Sequence, residues 1–240
     1  QQFYRDWYRP ELMTVIAVGD FDVKAMEGSI RERFARIPKS VNPRPRAYAN
    51  VPNHDETLVS IETDKEYPNS SVALLWLKER DSTRTVADMR RQFIASLYDG
   101  MVNARFGELS QRPDAPFAYA GSGRGSFVRT KDVYQLEAGV KESGFESAAE
   151  ALLAEAERIS RFGFTQTELD RLRTNYLRSL EQAYAERAKT NSAAFAGQYV
   201  GEVLSGGPVL GIENRQALAK QLLPTITLAE VNGLARPPFQ

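Results

Sequence analysis

The chain has 240 residues, with 31 Lys and Arg against 31 Asp and Glu and so no formal net charge. That balance argues against a nucleic-acid or anionic-membrane surface as its main partner. Hydrophobic residues at 42%, charged residues at 26% and aromatics at 10% exclude wholesale disorder. Cysteine is absent, which removes disulfides, thiolate nucleophiles and every cysteine-based metal site while leaving export open.

A chain of this length forms one large or two modest domains and buries roughly 70% of its unfolded surface. No apolar run approaches the ~18 residues that cross a bilayer. The start at Gln1-Gln2 and the stop at Phe239-Gln240 read as the ends of an excised piece of a longer protein.

In chain order, Leu12 to Val18 (LMTVIAV) is a nearly continuous apolar run closed by Gly19-Asp20, which predicts a buried strand. Asp22 caps a helix on which Val23, Met26, Ile30 and Phe34 recur at helical spacing before Pro38. Four prolines between Pro38 and Pro52 mark a linker with neither period, which at roughly 3 Å per residue reaches ~45 Å. Leu58 to Glu62 alternates, and Ser71 to Leu77 (SVALLWL) predicts a stronger strand. Thr85 with Asp88 opens a long helix through Phe93, Leu97, Met101 and Phe106 that ends near Gly107. Phe117 to Val128 and Val133 to Val140 predict a hairpin, the glycines of its first strand suggesting a bulge or a close backbone approach. Ser147 with Glu150, Thr165 with Glu168 and Thr227 with Glu230 are further capping boxes, Gly163 stops the first of these helices, and helical character also covers Ser192–Leu204 and Leu218–Leu223. This order predicts an α+β fold, a two-layer sandwich of a mainly antiparallel sheet with helices on one face.

The residues supply no complete active site. The one histidine, His54, cannot provide the two imidazoles that H-E-x-x-H or H-x-x-E-H places on one helical face. Glu62, Asp64 and Glu66 lack the glycine and terminal bidentate Glu of a calcium loop and read as a solvated turn. Gly121-Ser122-Gly123-Arg124-Gly125 fits neither a nucleophile elbow nor a phosphate loop. Arg90-Arg91 and Arg171-x-Arg173 read as solvated helix faces among acidic neighbours.

Function comes into view through resemblance. The stretch Phe3-Tyr4-Arg5-Asp6-Trp7-Tyr8-Arg9-Pro10-Glu11-Leu12-Met13, leading into Val18-Gly19-Asp20-Phe21-Asp22, closely resembles a segment of the pitrilysin/insulinase family of zinc peptidases. Leu109 to Phe117, Gly163-Phe164-Thr165-x-x-Glu168-Leu169 and Leu222 to Asn232 agree in the same order, and the exported bacterial zinc-protease branch is the nearest group. The resemblance implies that residues 1–38 are the closing strand–helix unit of a preceding domain, 39–52 the proline-rich linker and 53–240 the family's second, inactive peptidase-like domain. Zinc then belongs to the parent protein, on an H-x-x-E-H motif outside this chain, and no cofactor to the chain itself. It further implies partnership with the remaining domains of the peptidase around a chamber for short or unfolded peptides, no nucleic acid, no membrane insertion, and a periplasmic or secreted location. The alternative is a structural or binding module of a member that has lost its metal.

In the family's C-terminal half an Arg and a Tyr seven residues apart bind the substrate carbonyl; Arg112 and Tyr119 have that separation in the internally homologous domain. They are the candidate substrate-binding pair, with no catalytic and no metal residues beside them. Pro113 and Pro116 depart from the catalytic pattern and favour a structural role. Finally, the apolar run Leu12–Val18 is expected to fill the vacant edge of the sheet, either in its own chain or in a domain-swapped dimer, because an unpaired apolar strand is costly.

Overall fold

The helix Val86–Ser110 organises the molecule. Thr85 Oγ1 accepts the Asp88 N–H at 3.1 Å and Asp88 returns a bond to the Thr85 N–H at 2.9 Å, so the box that starts the helix is closed in both directions. From there Phe93, Ile94, Leu97, Tyr98, Met101, Val102 and Phe106 recur three or four residues apart and are all buried, the stripe that drives a helix onto a sheet.

The computed structural model describes residues 1–141 and 144–235. The elements run α1 (Gln2–Trp7), α2 (Val23–Phe34), β1 (Ser71–Glu79), α3 (Val86–Ser110), β2 (Phe117–Val128), β3 (Lys131–Val140), α4 (Gly144–Phe162), α5 (Gln166–Ala185), α6 (Ser192–Ser205), α7 (Ile212–Leu222) and α8 (Leu228–Asn232). The three strands form one antiparallel sheet in the order β1-β3-β2. Leu74 faces Leu136, which faces Ser122, and Trp76 faces Tyr134, which faces Arg124; these rows point to the helices, and Trp76 stacks on Tyr134 with ring centroids 5.6 Å apart. Helices α3 and α4 pack on that face, α5 packs on α3 and α7, and α8 returns to α3. The expected α+β two-layer architecture is thus the observed one.

Each capping-box acid of the helical layer also takes an arginine. Asp88 pairs with Arg91, Glu230 with Arg90 at 2.5 Å, and Glu168 with Arg105 at 2.7 Å. Ser82 Oγ is the main influence on Asp88, which sits at about 2 despite burial. Burial alone would raise Glu168, but Arg105 and the Thr165 N–H and hydroxyl outweigh it and bring it to about 2. Arg90, then Thr227, holds Glu230 at about 2. Arg105 is the most connected: it also reaches Glu155 at 3.2 Å and the Gly163 carbonyl at 3.0 Å, and its Cζ lies 4.7 Å from the Phe164 ring. Asn232 closes the same turn, accepting the Phe164 N–H at 2.8 Å and donating to its carbonyl at 3.4 Å. Gly163 has φ +69° there, and a Cβ would meet Asn232.

Several expectations are corrected. Leu12–Val18 forms no strand, pairs with nothing among the described residues and exposes Leu12, Met13 and Val15, so it does not fill a sheet edge of its own chain. Leu58–Glu62 is likewise unpaired, with Leu58, Val59 and Ile61 exposed. Alternation makes a segment ready for a sheet, but the hydrogen bonds need a partner strand. Ser147 is no cap, because α4 already begins at Gly144, and α7 starts at Ile212 instead of Leu218; α6, by contrast, begins at Ser192 as expected, capped by Asn191. Helix α3 continues through Gly107 to Ser110. The β2 glycines carry no bulge; the register shifts lie on either side of them. Arg90 and Arg173 are not solvated: Arg90 binds Glu230 and the Thr225 carbonyl, and Arg173 binds the Ile226 carbonyl at 2.7 Å. Helix α6 buries no residue and does not lie over the sheet. The last stretch, with Pro237 and Pro238, lies outside the described residues.

Candidate functional site: the open face and free edge of the sheet

The helices cover one face of the sheet and leave the other open. On the open face the register aligns Ala73, Glu137 and Gly121 in one row and Leu75, Gln135 and Gly123 in the next. Leu75 is 50% exposed, and a Cβ at Gly123 or Gly125 would meet nothing, so this face is smooth and accessible along β2. Alternation turns the main-chain N–H and C=O groups of Ala120, Ser122 and Arg124 away from β3, toward the free edge. At Ser122 the edge is already occupied: the Asn103 amide accepts its N–H at 2.6 Å and donates to its carbonyl at 3.0 Å, standing in for a partner strand.

Behind that edge lies a polar cluster that reading the sequence did not single out. Arg124 Nε is 3.1 Å from Asp99 Oδ2, and the guanidinium carbon lies 4.4 Å from the Tyr134 ring and 5.4 Å from that of Tyr98. Ser122 Oγ donates to Asp99 Oδ1 at 3.1 Å. Burial pushes the Asp99 carboxyl up and Arg124 pulls it back; burial also raises the Tyr98 and Tyr134 phenols. Asp99 and Asn103 sit four apart on α3, while Ser122 and Arg124 alternate with glycine on β2. Polar residues on the helix-facing side of a strand were the available signal. The cluster borders a groove of about 420 Å³ that also takes in Gln92, Ser96, Ser126 and Tyr176.

The candidate pair is placed apart in character. Arg112 follows α3 in a tight turn, its N–H on the Leu109 carbonyl at 3.2 Å and its own carbonyl accepting the Ala115 N–H at 3.1 Å. Its side chain is exposed and makes no hydrogen bond or ion pair among the described residues. Tyr119 is 53% exposed on the open face, with its ring laid over Gly139, its cross-strand partner; a Cβ at Gly139 would collide with the ring. The ring covers bare backbone where glycine offers no side chain, a recognised way to support a glycine in a sheet.

Among the described residues, no group of three or more His, Asp or Glu side chains could hold a metal ion. His54 is exposed, its Nδ1 2.6 Å from the Glu56 carbonyl, and no serine hydroxyl shares it. Glu62, Asp64 and Glu66 are exposed, with Asp64 accepting the Glu66 N–H at 2.8 Å in a turn. The arrangement offers binding surfaces and no nucleophile–base pair. No helix among the described residues is long and apolar enough to cross a membrane.

Comparison with known proteins agrees with the resemblance. Residues 1–90 match the peptidase M16 inactive domain. The chain is 30% identical over 233 residues to a zinc protease PQQL-like protein of Arabidopsis thaliana, covering 97% of this chain and 21% of that protein. It is 26% identical over 232 residues to the probable zinc protease PqqL of Escherichia coli K12, covering 95% of this chain and 24% of that protein. The fold matches the crystal structure of the first half of the periplasmic protease PqqL from Escherichia coli with a TM-score of 0.81 at 22% identity, over 98% of this chain and 50% of that one. The chain therefore spans about a fifth to a quarter of the length of the curated relatives it matches.

Proposed function

We propose, from its kinship with the peptidase M16 inactive domain, that this chain is a non-catalytic part of a zinc metalloendopeptidase that degrades short or unfolded peptides, and that it walls part of the substrate chamber. The alignment along nearly all of the chain with zinc proteases carries the reading. The smooth open face and the edge of β2 support it, because an extended peptide could meet the outward main-chain groups of Ala120 and Arg124 beside small side chains, with Asn103 already taking those of Ser122 between them. Zinc belongs to the parent, and the location is the periplasm or outside the cell, as with the Escherichia coli neighbour. The division into 1–38, 39–52 and 53–240 is part of the same reading.

Arg112 and Tyr119 are its candidate substrate contacts. In the parent enzyme, Arg112→Ala and Tyr119→Phe should each raise KM for a quenched-fluorescent peptide by about 3- to 10-fold, the worth of one hydrogen bond, with kcat unchanged. A parent that shows no peptidase activity, or that lacks H-x-x-E-H upstream, would instead favour the second reading, a scaffold that has lost its metal. The contact of the Tyr119 ring with Gly139 favours a structural role for that residue.

A further inference from the structure

Five prolines and no regular element between α2 and β1 suggest a free tether, but residues 39–53 of that stretch have partners at both ends. At its start, the Ser40 N–H donates to Glu11 at 2.7 Å, the Arg44 carbonyl accepts from Arg9 Nη2 at 2.7 Å, and the Arg44 guanidinium reaches Asp6 at 3.2 Å and lies 5.5 Å from the Trp7 ring. Asn42, at φ +51°, makes the turn between these contacts; asparagine tolerates the left-handed region better than most residues. At its end, the Arg129 guanidinium of the β2–β3 turn lies 5.5 Å from the Tyr48 ring, the Ala49 carbonyl accepts from Thr130 Oγ1 at 3.5 Å, and Asn53 Oδ1 accepts from Lys131 Nζ at 2.6 Å.

Lys131 explains why the second clamp should hold. It is 2% exposed and paired with Glu79, and a buried ammonium needs every acceptor it has. Lifting Asn53 away would remove one of them. Between the clamps residues 45–47 touch neither body, Arg46 meeting only the Tyr48 ring of the strap itself at 5.6 Å; this span of ~10 Å has Pro45 fixing one φ angle.

We propose that residues 39–53 are a docked strap that fixes the N-terminal unit, through α1 and the turn Pro10–Leu12, against the β2–β3 hairpin, with residues 45–47 as its hinge. The inference rests on the division of the chain near residues 38 and 52 and not on peptidase activity, so either can fail without the other.

The absence of cysteine allows spin labels at Arg5→Cys on α1 and Ala154→Cys on α4, both exposed, in the full chain. Double electron–electron resonance should give one narrow distance distribution, which Tyr48→Ala with Asn53→Ala broadens at least twofold. Tyr48→Ala alone touches only the exposed half of the clamp and guards against misfolding. Trypsin supplies a second readout: Arg44 is followed by proline, so cleavage after Arg46 reports the hinge and should quicken about tenfold in the double variant, and should also quicken in Tyr48→Ala, which leaves Lys131 its acceptors, while the thermal midpoint of the sheet holds there. A broad distribution in the unsubstituted chain, or one that neither variant changes, overturns the proposal.

Discussion

Residues 1–70 and residues 71–235 are built from similar local signals and end in different states. In the second region the strands pair, and the core runs from Phe93 to Ala235. In the first, the only buried residue is Arg9. Yet α2 forms there without burying anything, because Asp22 caps it at 2.7 Å and Glu27–Arg31 and Glu32–Arg36 pair one turn apart. Leu12–Val18 and Leu58–Ile61 are as well patterned for strands as α2 is for a helix, and neither becomes one. A helix satisfies its backbone within itself; a strand takes all of its ladder hydrogen bonds from its neighbours. The contrast is therefore between self-sufficient and borrowed structure, and substitutions can test where the line falls.

The largest effect is expected at Arg105. Its side chain is 14% exposed and faces Glu155, which is 5% exposed, and Glu168. Arg105→Ala leaves the buried Glu155 with only the exposed Arg158, 3.4 Å away, and uncouples α3 from the α4–α5 turn. Breaking a buried pair from one side costs about 3–5 kcal/mol, and urea denaturation should show that loss. A cost below about 1 kcal/mol would mean that the second region does not depend on its buried ion pairs.

Acid should come next. Asp88, Glu168 and Glu230 sit at about 2 in the fold and near 4 when unfolded. Their folded pKa values are depressed, so the stability they contribute is present above the unfolded values and is lost as pH falls from about 4.5 toward 2. Asp99, raised by burial, acts in the opposite sense and softens the loss. Near-UV circular dichroism should follow unfolding in that window, and Glu168→Gln should make the transition shallower. A fold indifferent to pH between 5 and 2 would show that the three boxes carry no net stabilisation.

A smaller effect belongs to the open face. In Gly139→Ala the new methyl displaces the Tyr119 ring, which is half exposed and free to swing outward, so the cost should be about 1 kcal/mol, the low end for overpacking. The ring shift would be visible in the Tyr119 proton resonances. If the parent's KM for peptide also rises, the position of that ring, and not only its identity, matters for binding.

Legibility in the sequence followed the same line between local and borrowed structure. Asp22, Thr85, Thr165 and Thr227 announced their helices because a cap and its target lie three residues apart. Ser147 misled because the same pattern can occur one turn inside a helix that starts at Gly144. Arg90 and Arg173 looked solvated because their partners, Glu230 and the Ile226 carbonyl, are 140 and 53 residues away. The spacing of Arg112 and Tyr119 was visible, but Tyr119 lying on Gly139 depends on strand register, which no local pattern fixes.

The smallest effect is the most pointed test of the comparison. Val15 and Ile61 lie in the two unpaired apolar segments, and Ile61 is 82% exposed. Val15→Lys and Ile61→Lys should each change the stability of this chain by no more than about 0.5 kcal/mol, as surface substitutions away from caps and cores usually do. A loss above ~1.5 kcal/mol would mean that these segments are already packed in solution, for instance in a domain-swapped dimer, and sedimentation of the unsubstituted chain would then reveal it. In the parent protein the expectation reverses. If the remaining domains supply the missing partner strands, a lysine at either position puts a charge into a sheet interior, and the melting midpoint should fall by several degrees. The same substitution, silent in this chain and costly in the parent, would identify these segments as strands that wait for a partner.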